Sequence, residues 1–250
     1  MVVVRKSKLM MWAICPRFYE QRWLLNRPLI NGVEMQFGRA FHKLAKNFFD
    51  EVDVERLMGC GTKESVFTIL RGFLPEKNAI LREWMWNFLQ WEAGEWVRLA
   101  FMVGPDAAII YWKPIATELE LDLGDSTYTI DRIDRLPVCK ALMNIEYKTG
   151  KWFMESKMRD ELTFYNMGIN RSGKFDWPCN YIGYYNPQLN KSWSEEVKYS
   201  TVRRVRKWVG DFRQAHEDNY FPCRASRFCR YCSYILDCPC WQNHREVIAA

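Results

Sequence analysis

No apolar run in this sequence is long enough to cross a bilayer. The longest, around Leu99 to Val103, is stopped by Gly104 and Pro105, far short of the roughly 20 residues a membrane helix needs. Export chemistry is also missing. Three valines precede Arg5, Lys6 and Lys8, which is neither a basic-then-apolar order nor a small-residue cleavage site, so a cytoplasmic protein without membrane contact is expected. There is no linker, internal repeat or low-complexity segment, which sets aside collagen, coiled coil and disorder. At 250 residues, the chain suffices for one large domain or two small ones with a core that needs no disulfides.

Aromatic residues make up 16% of the chain, so an aromatic-rich interior is expected. The 36 basic and 30 acidic residues leave +6. That suits a polyanionic partner but is also found in basic proteins that bind none. The nine cysteines are an odd count in a chain with no export signal. They point to reduced thiols, and to metal or catalytic roles before disulfides. Cys15, Cys60, Cys139 and Cys179 are scattered, whereas Cys223, Cys229, Cys232, Cys238 and Cys240 crowd the tail and make it a candidate metal site.

Hydrophobic spacing outlines the architecture. Ser7 is placed to cap a helix carrying Leu9, Met10, Trp12 and Ala13, which Pro16 breaks after Cys15. Phe41, Leu44, Phe48 and Phe49 recur at helical spacing over Gly38 to Phe49, with His42 on the same segment. Residues 64–103 read as further helices, with tryptophan and phenylalanine in core roles. Three consecutive strands follow, at Ile115 to Leu123, Tyr128 to Leu136 and Leu142 to Lys148. A helix over Glu155 to Asn170, a strand over Cys179 to Tyr185 and a long helix over Glu195 to Tyr220 complete the chain. The fold class is therefore mixed α/β (α+β).

Inside the strand block lie Ile130-Asp131-Arg132-Ile133-Asp134 and Ile145-Glu146-Tyr147-Lys148-Thr149-Gly150. Period two puts Glu146 and Lys148 on one side of their strand. Asp131 from the neighbouring strand and Glu146 are then suited to sharing a hard divalent cation, with Lys148 beside an attacking water. Taken alone, two acids and a lysine also describe an ordinary strand pair with solvent-facing charges.

The series of motifs resembles the PD-(D/E)xK nuclease superfamily, and within it the RecB-like branch with an iron-sulfur cluster, which includes AddB-like and CRISPR-associated RecB-type exonucleases. Cys15-Pro16-Arg17-Phe18-Tyr19 resembles the branch's N-terminal motif, Gly38 to His42 its G-x-x-x-H helix, and Thr117-Glu118 its acidic strand. Ile130 to Asp134 and Glu146 to Gly150 resemble the I-D-R-I-D and (D/E)-Y-K-(S/T)-G segments. The resemblance implies a restriction-endonuclease-like core, a central mixed sheet flanked by helices, across 1–250. It further implies a helical insertion over 50–113, and a cluster region over 221–240 that joins Cys15 and so ties the termini together. It implies that His42, Asp131, Glu146 and the Tyr147 carbonyl ligate Mg2+ or Mn2+, with Lys148 catalytic. Glu118 and Asp134 are secondary candidates that surface charges explain equally well.

Two positions depart from the pattern. Tyr128 stands where the family has glycine, with a narrower approach to the site as the expectation. Glu161-Leu162-Thr163-Phe164-Tyr165 has an acid where the family has glutamine, and a carboxylate cannot donate the amide's hydrogen bonds. Glu161 is thus a metal-ligand candidate, a sign of altered substrate handling or a solvated helix charge, and Tyr165 a candidate site or DNA contact. Cys15, Cys229, Cys232 and Cys238 match the branch's ligand pattern for a [4Fe-4S] cluster. Four thiolates also suit zinc, with Cys223 or Cys240 as spare ligands.

Arg203, Arg204, Arg206 and Lys207 flank an apolar stripe of Val202, Val205, Trp208, Val209 and Phe212. They form a solvated basic face that in a nuclease suits phosphates, and Arg224, Arg227 and Arg230 are placed to extend it. The leading expectation is a metal-dependent DNA exonuclease acting on ends or single strands, with possible protein partners in recombination, replication or CRISPR adaptation. The alternatives are a binding subunit that has lost turnover and a CRISPR adaptation nuclease.

Overall fold

The computed structural model describes residues 2–28, 34–150 and 155–243. Packing divides the chain into two compact units, one from residues 33–121 and 129–198, the other from 1–32, 122–128 and 199–250.

In the larger unit, helices α3 (Glu34–Glu51), α4 (Lys63–Leu70), α5 (Ala79–Val103) and α6 (Pro105–Trp112) follow β1 (Val4–Arg5), α1 (Lys6–Ile14) and α2 (Pro16–Tyr19) of the other unit. Helix α3 buries Phe41, Ala45, Phe48 and Phe49, an i, i+4, i+7, i+8 stripe of the kind that drives an amphipathic helix onto a core. The Asn78 side chain caps α5 by accepting from the Leu81 N–H at 3.0 Å. Gly104 ends α5 at φ +83°, a backbone that a side chain would oppose. The segment over 63–112 is largely helical, as its spacing predicts, and its core reading holds. Phe88, Trp96 and Trp112 are fully buried, the phenylalanine alone worth about 1.5–3 kcal/mol by burial. The sequence places the end of the helices at Gly104 and Pro105, but proline at the first position starts α6 instead, where its missing N–H costs nothing.

A mixed sheet completes this unit. Strand β2 (Ala116–Asp122) pairs with β3 (Ser126–Leu136), β3 runs antiparallel to β4 (Ala141–Tyr147), β4 parallel to β5 (Cys179–Asn186), and β5 antiparallel to β6 (Lys191–Glu196). Helix α7 (Glu155–Ser172) is the crossover that the parallel β4–β5 pair needs. Alternation along β4 sorts its side chains. Ile145 and Tyr147 enter the aromatic core of α3–α6, whereas Asn144 turns to α7 and donates to the Leu162 carbonyl at 3.1 Å. The sheet is thus flanked by helices on both faces, a restriction-endonuclease-like architecture.

In the smaller unit, β1 pairs in parallel with the first residues of β3. Trp12, Tyr19 and Phe212, the last from α8 (Tyr199–Glu217), pack edge to face. The Tyr19 hydroxyl sits 2.9 Å from His216 Nε2. The described residues of this unit end in 3-10 turns at Arg227–Tyr231 and Ile235–Asp237 and the short α9 (Pro239–Asn243).

Three expectations are corrected. Ser7 does not cap α1. That helix starts at Lys6, with Arg5 in extended backbone as its uncapped lead-in, because β1 holds the chain up to that point. The expected helix from Glu195 is also displaced, since Lys191–Glu196 is a strand and α8 starts at Tyr199. The strand was hidden because it sits outside the apolar pattern, as charged edge strands do. Finally, Cys223 and Cys240 are not free thiols but form a disulfide. The turns of the tail bring their Cα atoms to 6.0 Å, within bridging range. While that bond stands neither is a thiolate ligand, although their sulfurs lie together with that of Cys238 in a group able to hold a metal.

Candidate active site

Four elements of the larger unit bring their polar residues to one end of the sheet. Asp131 lies on β3 one step beyond the Arg132–Ile145 pair of the ladder, which puts it across from Glu146. Its Oδ2 accepts from the Tyr147 N–H at 2.7 Å. Lys148, two residues after Glu146, places Nζ 2.7 Å from Glu146 Oε1, so the same-side reading of this pair holds. Helix α3 contributes His42, whose Nδ1 is 3.4 Å from Asp131 Oδ1 and 3.2 Å from Glu118 Oε1. Gly38 lets α3 come this close, because a Cβ there would meet Thr149 Oγ1 at 2.9 Å, and the G-x-x-x-H spacing thereby acquires a physical reason.

The electrostatics are those of crowded acids. Burial, and then the charge of Glu146, push the Asp131 carboxyl above its usual range, and the His42 contacts only partly offset this. Burial alone would lower His42, yet hydrogen bonds and charge from Asp131 and Glu118 outweigh it and raise the imidazole to about 10. His42, Glu118 and Asp131 each offer a donor atom within 4.8 Å of the others. One nitrogen and hard carboxylate oxygens around mutually repelling charges suit a small divalent cation.

Glu118 is thereby more central than the sequence suggested. It stands inside β2 at φ +47°, a left-handed conformation costly for an L-residue, and the sequence marked it only through its likeness to the family's acidic strand. Glu161 on α7 lies 3.1 Å from Lys148 Nζ, so the acid that replaces the family glutamine pairs with the lysine. Tyr165 is buried one turn further on, and burial, followed by the charges of Glu146 and Asp131, raises its hydroxyl.

Not every candidate joins this group. Asp134, an odd number of residues from Asp131, falls on the other face of β3 and pairs with Arg132 Nε at 2.6 Å. Arg132 also pairs with Glu92 of α5 and lies 4.7 Å from the Phe49 ring. Sequence reading missed this buried network. Burial raises Glu92 to about 7 in spite of Arg132. Tyr128 belongs to the smaller unit and is buried, with its hydroxyl donating to Ser126 Oγ at 3.0 Å.

In the smaller unit, Cys15, Cys229, Cys232 and Cys238 line one cavity of about 120 Å3. The Arg224 and Ser226 N–H groups donate to the sulfurs of Cys15 and Cys229, each at 3.4 Å. Burial, then the neighbouring Cys15, Cys238 and Cys229, raise the Cys232 thiol. The other tight soft-donor group is Cys223, Cys238 and Cys240. On α8, Arg203, Arg204, Arg206 and Lys207 are exposed, with Lys207 paired to Asp211 at 2.6 Å. Arg224 does not extend that face, because its guanidinium donates to the Ala13 carbonyl at 2.6 Å.

A mixed sheet carrying convergent acids, an imidazole and a lysine at one end is an arrangement suited to a divalent cation. A profile of the PD-(D/E)XK nuclease superfamily matches residues 7–239, and the chain belongs to that superfamily. It is thus a nuclease hydrolase in general class, of a superfamily that usually works with divalent metals on nucleic acid. A search among curated proteins finds no match. No described helix is long and apolar enough to cross a membrane.

Proposed function

We propose that this protein is a metal-dependent deoxyribonuclease of the RecB-like branch that works exonucleolytically on DNA ends or single strands in the cytoplasm. The observation that carries the reading is the convergence of Asp131, Glu146 and Lys148 on one face of the sheet, with His42 against Asp131. His42, Asp131, Glu146 and the Tyr147 carbonyl would hold Mg2+ or Mn2+, with Glu118 alongside. When bound, the cation supplies charge stabilisation at the phosphate and a lower pKa for a coordinated water. The chain's own residues do the positioning. The Tyr147 N–H fixes Asp131, while Glu146 and Glu161 hold Lys148 where its amine can donate to the attacking water or a phosphate oxygen. Asp134 acts through the buried Arg132 network and not as a ligand.

The reading treats 1–250 as one nuclease domain, with the helical insertion over 50–113 and Cys15 joined to the 221–240 region. It gives Cys15, Cys229, Cys232 and Cys238 the role of a [4Fe-4S] site. A lone zinc ion needs its sulfurs about 3.8 Å apart, from zinc–sulfur bonds of about 2.3 Å. Cys15, Cys229, Cys232 and Cys238 share the lining of one cavity of about 120 Å3, room for several waters and so for more than a single ion. The exposed Arg203, Arg204, Arg206 and Lys207 supply sequence-neutral phosphate contacts. The motif series also fits recruitment in recombination, replication or CRISPR adaptation.

Purified protein with labelled single-stranded and duplex DNA, in Mg2+, Mn2+ or EDTA, tests the assignment. Metal-dependent shortening of the strands is expected, together with a loss of about 10²–10³-fold in Lys148→Ala and a comparable loss in Glu146→Gln, with melting temperatures kept. DNA binding without cleavage would favour a binding subunit, the reading that the Glu161 exchange supports.

A further inference from the structure

Helix α3 carries a feature that none of these roles uses. Arg39, Lys43 and Lys46 are spaced i, i+4, i+7, with His42 at i+3, so all four share one face of the helix. Together with Gly38 and Glu118 they line an open cleft of about 490 Å3. Glu118 and His42 of the acid group form part of its lining, and a ladder of cations forms the rest. Arg39 and Lys43 are exposed, and among the described residues neither has an ion-pair partner. Lys46 is tethered to Asp50 at 2.7 Å and feels the charge of Glu118 as well.

Cations on an exposed helix face are most often solvated and idle. Position argues otherwise here, since His42 and Glu118 line the same cleft. The cluster of acids repels a phosphodiester chain wherever its charge is uncompensated, and a strand approaching through this cleft meets three positive charges first. From Arg39 to Lys46 the helix rises about 10 Å, far enough for its cations to reach more than one phosphate of a strand. Arginine adds a two-pronged grip on phosphate oxygens.

We propose that this cleft is a phosphodiester-binding track, in which Arg39 and Lys43 contact successive backbone phosphates and Lys46 closes the row beside Glu118, seating one nucleic-acid strand against the acid cluster without reading its bases. The inference rests on the nuclease reading of that cluster and gives it a substrate path.

The test is equilibrium binding of fluorescent single-stranded and duplex DNA in EDTA across a potassium chloride series, so that no turnover is required. Arg39→Gln with Lys43→Gln is expected to weaken binding by about 10-fold or more. It should also flatten the plot of log affinity against log salt by about 1.4–1.8, the share of two phosphate contacts. Arg39→Lys with Lys43 intact recovers most of the slope. Arg56→Gln with Lys63→Gln removes the same net charge from exposed positions of the same unit, and is expected to leave the slope as it is. An unchanged slope in the α3 variant, an equal loss in the control, or no DNA binding by the unmodified protein in EDTA overturns the track. Cleavage with metal is read separately: a protein that cuts DNA but keeps its slope loses only the track, and one that shows the slope effect but never cuts loses only the catalytic assignment.

Discussion

Glu118 Oε1 lies 3.2 Å from His42 Nδ1, and it gets there from a backbone at φ +47° in the interior of a strand. A left-handed L-residue costs on the order of 1–2 kcal/mol. Such a conformation persists only where its surroundings over-determine it, most often at functional sites. The strain turns a side chain of β2 toward an imidazole on α3 and a carboxylate on β3, three donors from three elements.

Glu118→Gln keeps the shape and the contact with His42 but removes the charge. Affinity for Mn2+, titrated calorimetrically without DNA, is expected to fall about 10–100-fold, with little change in melting temperature because the side chain is partly exposed. Unaltered Mn2+ affinity would take Glu118 out of the site.

Glu92 makes the stability of the fold depend on pH. Burial raises its carboxyl from 4.5 to about 7, so between those values the folded chain binds more protons than the unfolded one. Stability therefore falls as pH rises through that window and is flat on either side. Glu92→Gln removes this slope. The melting temperature of the variant minus that of the unmodified protein should become more positive from pH 4.5 to pH 8, whereas a constant difference would mean that Glu92 does not titrate in this window.

The thiols separate two ligand sets that share Cys238. Cys15→Ala is expected to yield colourless protein that has lost its iron and sulfide and melts at lower temperature, since a metal that ties residue 15 to residue 238 stabilises the fold through binding. Cys223→Ser with Cys240→Ser should stay brown, because the disulfide lies outside the cavity set. Zinc in place of iron and sulfide would refute the cluster, and colour that depends on Cys223 would move the site to the Cys223–Cys238–Cys240 group.

Period-two alternation made the Glu146–Lys148 pair visible in the sequence, and helical spacing did the same for the buried stripe of α3. Both are local, and local geometry follows from the backbone alone. The same logic could not rank Asp134 against Glu118. Asp134 sits in a well-formed motif yet faces Arg132 and Glu92, and Glu118 sits in an unremarkable one yet faces the imidazole. β6 escaped notice because its pairing with β5, and not any apolar pattern of its own, makes it a strand.

What the sequence determined by itself was the order of most elements, the aromatic core, the superfamily and the residue types available for chemistry, because these depend on spacing within short segments. Tertiary structure alone decided which acids share a side of the sheet with His42, that Glu161 holds Lys148, that Cys223 bonds to Cys240, and that Arg39 and Lys43 line one cleft with Glu118. Each of these joins groups far apart along the chain or on different elements, and distance between such groups is set by how helices and strands pack.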